Sequence, residues 1–243
     1  MVQRCILLIS ETPEAKKYME SSFESRASDS PYIEAVWRDH AGSDYAPICP
    51  ASGHWHLLFM KRNGKPIVSI EGPLTRSKSV RQDEGTEWFG VTFKLGTFLT
   101  AIPTSALPDA QTILPLVIKT SFELAGSRWQ LPDYDNVETF VERLVREHLL
   151  VSDPLVKTVL AGQPSEVSER TVRRRFLNAT GLAPKTIEQI ARANQAAALL
   201  EQGVSLLDAT YQAGYADQPH MTRSLKHFIG YTPSQIAQAR KLE

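Results

Sequence analysis

The stretch Ala213-Gly214-Tyr215-Ala216-Asp217-Gln218-Pro219-His220-Met221-Thr222-Arg223-Ser224-Leu225-Lys226-His227-Phe228-Ile229-Gly230-Tyr231-Thr232-Pro233 decides how this chain reads. Asp217 is placed to cap a helix opening at Gln218, Gly230 to stop it, and Pro233 to open the next one. At about 100° per residue, Met221, Leu225 and Phe228 share one side of that helix, while Pro219, Thr222, Arg223 and Lys226 share the other. The helix therefore has an apolar face to bury and a cationic, hydrogen-bonding face to present.

The same design occurs upstream. A shift of 49 residues pairs Ser168 with Asp217, Val172 with Met221, Arg174 with Arg223, Phe176 with Leu225, Ala179 with Phe228, Gly181 with Gly230, Pro184 with Pro233 and Ile187 with Ile236. In this first copy Val172, Phe176 and Ala179 form the apolar side, and Arg170, Arg173, Arg174 and Leu177 the outward side. A run of charge is most often a solvated face. Two copies of one outward chemistry weigh against that reading, because a helix showing Arg and Thr fits the major groove, where Arg reads guanine edges and Thr meets thymine methyls or phosphates. Arg175 lies off the Arg170/Arg174 line, open to a phosphate or an acidic neighbour. His220 and His227 sit at the edge of the second helix, open to phosphate contact or plain exposure.

A helix-turn-helix needs a first helix that braces the second. In the second unit Ser205 can cap Leu206–Ala213, and residues 213–217 make a tight, Gly-containing turn. In the first unit the bracing helix would be Asp153–Ala161, followed by the looser Gly162-Gln163-Pro164-Ser165-Glu166-Val167. Between the units, Pro184 to Gln202 reads as one long helix with Ile187, Ile190, Ala191, Ala197, Ala198 and Leu200 as its apolar content, ending at Gly203. Such a spacer would hold two recognition helices at a fixed separation, ideally one DNA turn of about 34 Å.

Charge is distributed accordingly. The whole chain balances 27 Lys and Arg with 27 Asp and Glu, yet residues 152–243 carry 11 against 8, leaving 16 against 19 for residues 1–151. Four of the basic residues lie within Arg170 to Arg175.

Residues 168–238 resemble the DNA-binding domain of AraC/XylS-type transcriptional regulators, most clearly in residues 213–233 and again in Arg174-Arg175-Phe176-Leu177-Asn178-Ala179-Thr180-Gly181-Leu182-Ala183-Pro184. The resemblance implies double-stranded DNA as partner. It puts base-reading positions on Arg170, Arg173 and Arg174 in the first recognition helix, and on Gln218, Pro219, Thr222 and Arg223 in the second; Lys226 joins them from the outward face. The region before Ser168 is shorter than the Ala-rich bracing helix and Gly-type turn usual in the family. Residues 30–37, 72–76 and 90–96 look like the small β-rich N-terminal domains of some members, which implies a sensing or dimerising module with a small-molecule effector.

From Met1 to about Leu131 the residues themselves predict short strands at Cys5–Ser10, Tyr32–Arg38, His54–Lys61, Pro66–Glu71 and Trp88–Leu95, with an Asn63-Gly64 hairpin turn, a loop over residues 20–31 and a short helix opening in Gly96–Ala101. Val137, Phe140, Val141, Leu144, Val145, His148 and Leu149 then follow helical spacing, with Asp135 or Asn136 as N-cap. That seam packs either on its own domain or in a homodimer, through Val137, Val141, Leu144, His148 and Val151. The fold class is α+β: a β-rich domain over residues 1–131, an amphipathic linker helix over 132–152, and an all-α domain over 153–243, with two helix-turn-helix units joined by a long helix.

Competing chemistry has few footholds. His54-Trp55-His56 on a strand is how a cupin-type metal enzyme or small-molecule binding site begins, but Met60 and Lys61 stand where a ligand carboxylate is wanted, leaving His40 as the other nearby donor. Cys49, within Pro47-Ile48-Cys49-Pro50, lacks an adjacent activating His and reads as a buried thiol, as does Cys5. No phosphate loop, Ser-His-Asp set or His-Glu-x-x-His is visible, so neither a cofactor nor catalysis is expected. The apolar run Cys5–Ile9 is too short for a signal-peptide core or a membrane span, and a cytoplasmic location is expected.

Overall fold

The computed structural model describes residues 23–44 and 46–239. The predicted strand Cys5–Ser10 lies outside them. Two hydrophobic cores organise the chain, one built on a β-sheet and one built entirely among helices, apart from Ala51 and two apolar side chains, Leu95 and Phe98, that reach in from the β-rich part.

The first core is carried by a six-stranded antiparallel sheet. Its strands are β1 (Glu24–Arg26), β2 (Ile33–His40), β4 (His56–Arg62), β5 (Lys65–Glu71), β7 (Glu87–Phe93) and β9 (Gln111–Leu114), in the order β1-β2-β7-β4-β5-β9. Alternation, with a register shift in β2 between Ile33 and Ala35, sends Ile33, Val36, Leu57, Phe59, Val68, Ile70, Val91 and Phe93 to the core. The β4–β5 connection is the Asn63-Gly64 turn, both residues at positive φ (50° and 72°), as the dipeptide predicts. A small sheet of β10 (Leu116–Ile118), β11 (Ser121–Leu124) and β12 (Ser127–Gln130) and the helix α1 (Val137–Arg146) cover the core. Phe59, Phe122, Trp129 and Phe140 meet there, with ring centroids 5.6–6.1 Å apart.

The helical seam is thus spent inside the chain: Val137, Phe140, Val141 and Leu144 are all buried in the first core. The helix stops at Arg146, short of the expected Leu149, because His148 turns the chain at φ 58° and Leu150–Ser152 becomes a strand, β13. Asn136 occupies the N-cap position without using its side chain there; Asp133 instead receives the backbone N–H groups of Asp135 and Asn136.

Two expectations are corrected. Residues 20–31 are not all loop, since Glu24–Arg26 pairs with Val36–Arg38 at the sheet edge, where two of its three residues stay wet and no apolar alternation marks the strand. Gly96 to Ala101 opens no helix: Gly96 turns the chain at φ 89°, and Thr97–Leu99 (β8) pairs with β13. That partner lies some fifty residues away, out of reach of any local pattern. A single 3-10 turn follows at Thr104–Ala106. The short ribbon of β3 (Ile48–Cys49) and β6 (Lys78–Ser79) completes the β-rich part.

Trp37 lies across Gly90 on the opposite face of the sheet, where a Cβ at position 90 would sit 2.4 Å from the indole. Gly90→Ala is therefore expected to cost about 1–3 kcal/mol through forced displacement of that ring. A shift of the denaturant midpoint measures it, and a midpoint equal to wild type would refute the contact.

The second core belongs to α2 (Pro154–Leu160), α3 (Glu169–Thr180), α4 (Pro184–Glu201), α5 (Leu206–Gln212), α6 (Gln218–Phe228) and α7 (Pro233–Ala239). In α4 the buried set is Ile187, Ile190, Ala193, Ala196, Ala197 and Leu200, so Ala191, counted as apolar content from the sequence, faces outward instead. No helix among the described residues is long and apolar enough to cross a membrane.

Candidate nucleic-acid interface

Each outward helix begins and ends where its punctuation dictates. Ser168 accepts the Thr171 N–H at 3.4 Å to start α3, and Gly181, at φ 73°, closes it with its N–H on the Leu177 carbonyl. Asp217 accepts the His220 N–H at 2.6 Å to start α6. Ser205 caps α5 by accepting the Asp208 N–H at 3.1 Å while donating to the Asp208 carboxylate at 2.6 Å. Lys226 and His227 in the last turn of α6 complement the negative end of the helix dipole.

Packing decides which side faces out. Phe176 and Ala179 of α3, and Met221, Leu225 and Phe228 of α6, are buried against α4, while Val172 is half-buried. Arg170, Arg173, Arg174 and Leu177 are exposed on α3; Pro219, Arg223 and Lys226 are exposed on α6, with Gln218 and Thr222 half-buried beside them. All eight expected contact residues thus lie on the outward sides of the two helices. α2 packs on α3 and α5 on α6, giving two helix pairs on either side of α4.

A groove of about 1110 Å³ runs between the units and is lined by Arg173 from α3, Arg223 from α6, and Lys185 and Arg192 from α4. Lys185 and Arg192 fall outside the repeated helix design, into which α4 enters only through its apolar content. Their spacing of seven residues places both on one face of that helix, a signal that was there to be read. Tyr215 helps to floor the groove: its hydroxyl lies 2.7 Å from Ser224 Oγ and Arg192 sits over its ring at 5.7 Å, while burial raises its pKa.

Arg175 has a different task. Its guanidinium grips Asp153 through Nε at 2.9 Å and Nη2 at 2.5 Å, and Asp153 also caps α2 by accepting the Leu155 N–H. Of the two partners the sequence left open, an acidic neighbour is the one found. Hydrogen bonding from Arg175 holds the Asp153 carboxyl below the usual carboxylate value. A depressed carboxylate contributes stability that is present above its unfolded pKa and is lost as pH falls through the folded one. Asp153→Asn should therefore flatten the acid limb of the stability curve below about pH 4, as followed by denaturant midpoints between neutral pH and pH 3. An acid limb identical to that of wild type would count against the pair.

His220 and His227 are exposed, their rings edge-on to Tyr215 and Phe228 respectively. His56 lies in β4 with Nδ1 2.9 Å from Thr92 Oγ1, whereas His54 precedes the strand with Nδ1 2.7 Å from the Phe93 carbonyl. Burial lowers both imidazoles, His56 to about 3. Among the described residues no group of three or more His, Cys, Asp or Glu converges. Cys49 is half-buried.

In the β-rich part, a cavity of about 600 Å³ opens between sheet and loops, walled by Phe59, Phe89, Leu131 and Tyr134, with Arg38 among the groups at its mouth.

Residues 165–239 match the helix-turn-helix domain family. The HTH-type transcriptional regulator YbfI of Bacillus subtilis is 46% identical over 48 residues, which are 20% of this chain and 18% of that protein, so the chain spans under a fifth of its length. Among solved structures, ToxT of Vibrio cholerae aligns over 90% of this chain and 98% of its own with a TM-score of 0.37 and 9% identity. ToxT with a bound unsaturated fatty acid aligns over 90% and 96%, with a TM-score of 0.37 and 11% identity.

Proposed function

We propose that this chain, whose residues 165–239 form an AraC-type helix-turn-helix domain, is a sequence-specific regulator of transcription that binds double-stranded DNA with α3 and α6. The observation that carries the reading is the pair of outward, arginine-bearing helices, each capped and stopped in the same way, each braced by a shorter helix, on either side of α4. Arg170, Arg173 and Arg174 would read one major groove, and Gln218, Pro219, Thr222 and Arg223 the next. Lys226, Lys185 and Arg192 would neutralise phosphates, a contribution that supplies much of the affinity and makes it fall with salt. The chemistry is binding rather than turnover, and residues 153–243 are the reader.

The test is selection of bound sequences from a random duplex pool by the full chain at two salt concentrations. Enrichment of a bipartite motif with halves about one turn apart is expected. No enrichment at either salt would overturn the reading.

The aromatic cavity over Phe59, Phe89 and Tyr134 supports a sensing role for the β-rich part, with a small-molecule effector held there. An effector at a hundred times its dissociation constant should stabilise the folded chain by about 2.7 kcal/mol. A panel of metabolites in a thermal-shift assay checks this, and a stabilising ligand whose effect survives Phe89→Ala would place the site elsewhere.

A further inference from the structure

Both outward helices end on the β-rich half of the chain. The last carbonyls of a helix have no partner within it, and α3 and α6 find theirs across the boundary between the two cores. At α3, Thr104 Oγ1 donates to the Asn178 carbonyl at 2.7 Å. Gly181 lies so close over the 3-10 turn that a Cβ there would stand 2.5 Å from the Thr104 carbonyl oxygen. At α6, the His227 carbonyl accepts from Ser77 N at 2.9 Å and from Ser77 Oγ at 3.2 Å, and the Phe228 carbonyl accepts from Ala51 N at 2.6 Å. Gly230 is pressed on Ile48, whose Cγ2 would be 2.5 Å from an added Cβ.

We infer that the β-rich half is a positioning clamp for the two outward helices: Thr104 holds the carboxyl end of α3, Ala51 and Ser77 hold that of α6, and together they set which spacing between two DNA half-sites the chain accepts. The inference rests on the DNA-reading function proposed above. Within the helical part, α3 leads to α6 through α4 and α5, by way of turns at Gly181, Gly203 and Gly214, each at positive φ. A chain of three such turns leaves the relative pitch of the two helices to their packing on α4, and the contacts from the β-rich half remove that freedom. These contacts touch the carboxyl ends and leave Arg170, Arg173, Arg174 and Arg223 exposed. They therefore set geometry rather than cover the interface.

The experiment measures affinity of the full chain for duplexes that carry both halves of the selected motif, with the spacing changed one base pair at a time. Each base pair turns the second groove by about 34° around the DNA axis. Wild type should lose roughly tenfold in affinity per step away from one optimum, the scale of one mismatched position. Gly181→Asn keeps a residue that tolerates the left-handed conformation but wedges a Cβ against Thr104, and its loss per step should shrink to about threefold or less. Affinity for a single half-site should stay at the wild-type level. If Gly181→Asn also loses half-site binding, the defect is one of folding, and Thr104→Val, which exchanges only the hydroxyl for a methyl, decides. A broadened profile in Thr104→Val supports the clamp; a profile as sharp as wild type overturns it. A wild-type chain that binds spaced sites and random duplex equally would instead sink the DNA-reading proposal.

Discussion

Phe176→Ala is expected to lower the stability of the helical part by about 3–5 kcal/mol, the range for deleting a fully buried phenyl ring. The side chain is 0% exposed and sits where α3 meets α4, among the largest buried side chains of the molecule. Its loss leaves a cavity that α3 cannot collapse to fill, because that helix is held along its length: by Ser168 at the start, by the Arg175–Asp153 pair at the middle, and by Thr104 and Gly181 at the finish. With total stabilities of about 5–15 kcal/mol, such a loss takes a large share. The denaturant midpoint should fall sharply, and binding to a bipartite site should fall with it, since α3 is no longer seated. The next residue makes the control: Leu177 is 42% exposed, and Leu177→Ala should cost under about 1 kcal/mol. Equal effects at 176 and 177 would mean that the helix does not bury the face assigned to it.

That contrast also marks what could be read from the residues alone. Helix faces and helix ends are local: Ser168, Gly181, Asp217 and Gly230 act on residues within one turn, and the buried and exposed sides of α3 and α6 follow from a period of 3.6. The Asn63-Gly64 hairpin is local in the same way. What escaped reading depends on partners far along the chain. Thr97–Leu99 is a strand only because Leu150–Ser152 lies beside it, and Glu24–Arg26 only because Val36–Arg38 does. Helical spacing sets Arg175 off the Arg170/Arg174 line, but its tie to Asp153 exists only once α2 folds against α3. The clamp on the two helices was equally hidden, since half of its donors are backbone N–H groups, which every residue but proline carries.

The remaining large effect concerns recognition. Arg174→Ala or Arg223→Ala should each cost about 1–3 kcal/mol of binding, concentrated at one base position of the selected motif. These two residues occupy equivalent places in the repeated design, 49 apart in sequence, and both project from the exposed side of a helix whose opposite side is buried. A guanidinium reading a guanine edge through two hydrogen bonds discriminates against the other bases at that pair, so removing it relaxes choice at one position and leaves the rest of the motif sharp. A phosphate contact has a different signature, which Lys226→Ala should display: roughly uniform weakening across sequences and a salt slope smaller by about one. Repeating the duplex selection with each variant separates the two. If Arg223→Ala weakened every sequence alike and reduced the salt slope, its role would be that of Lys226, and base choice in the second unit would rest on Gln218 and Thr222, half-buried at the same face.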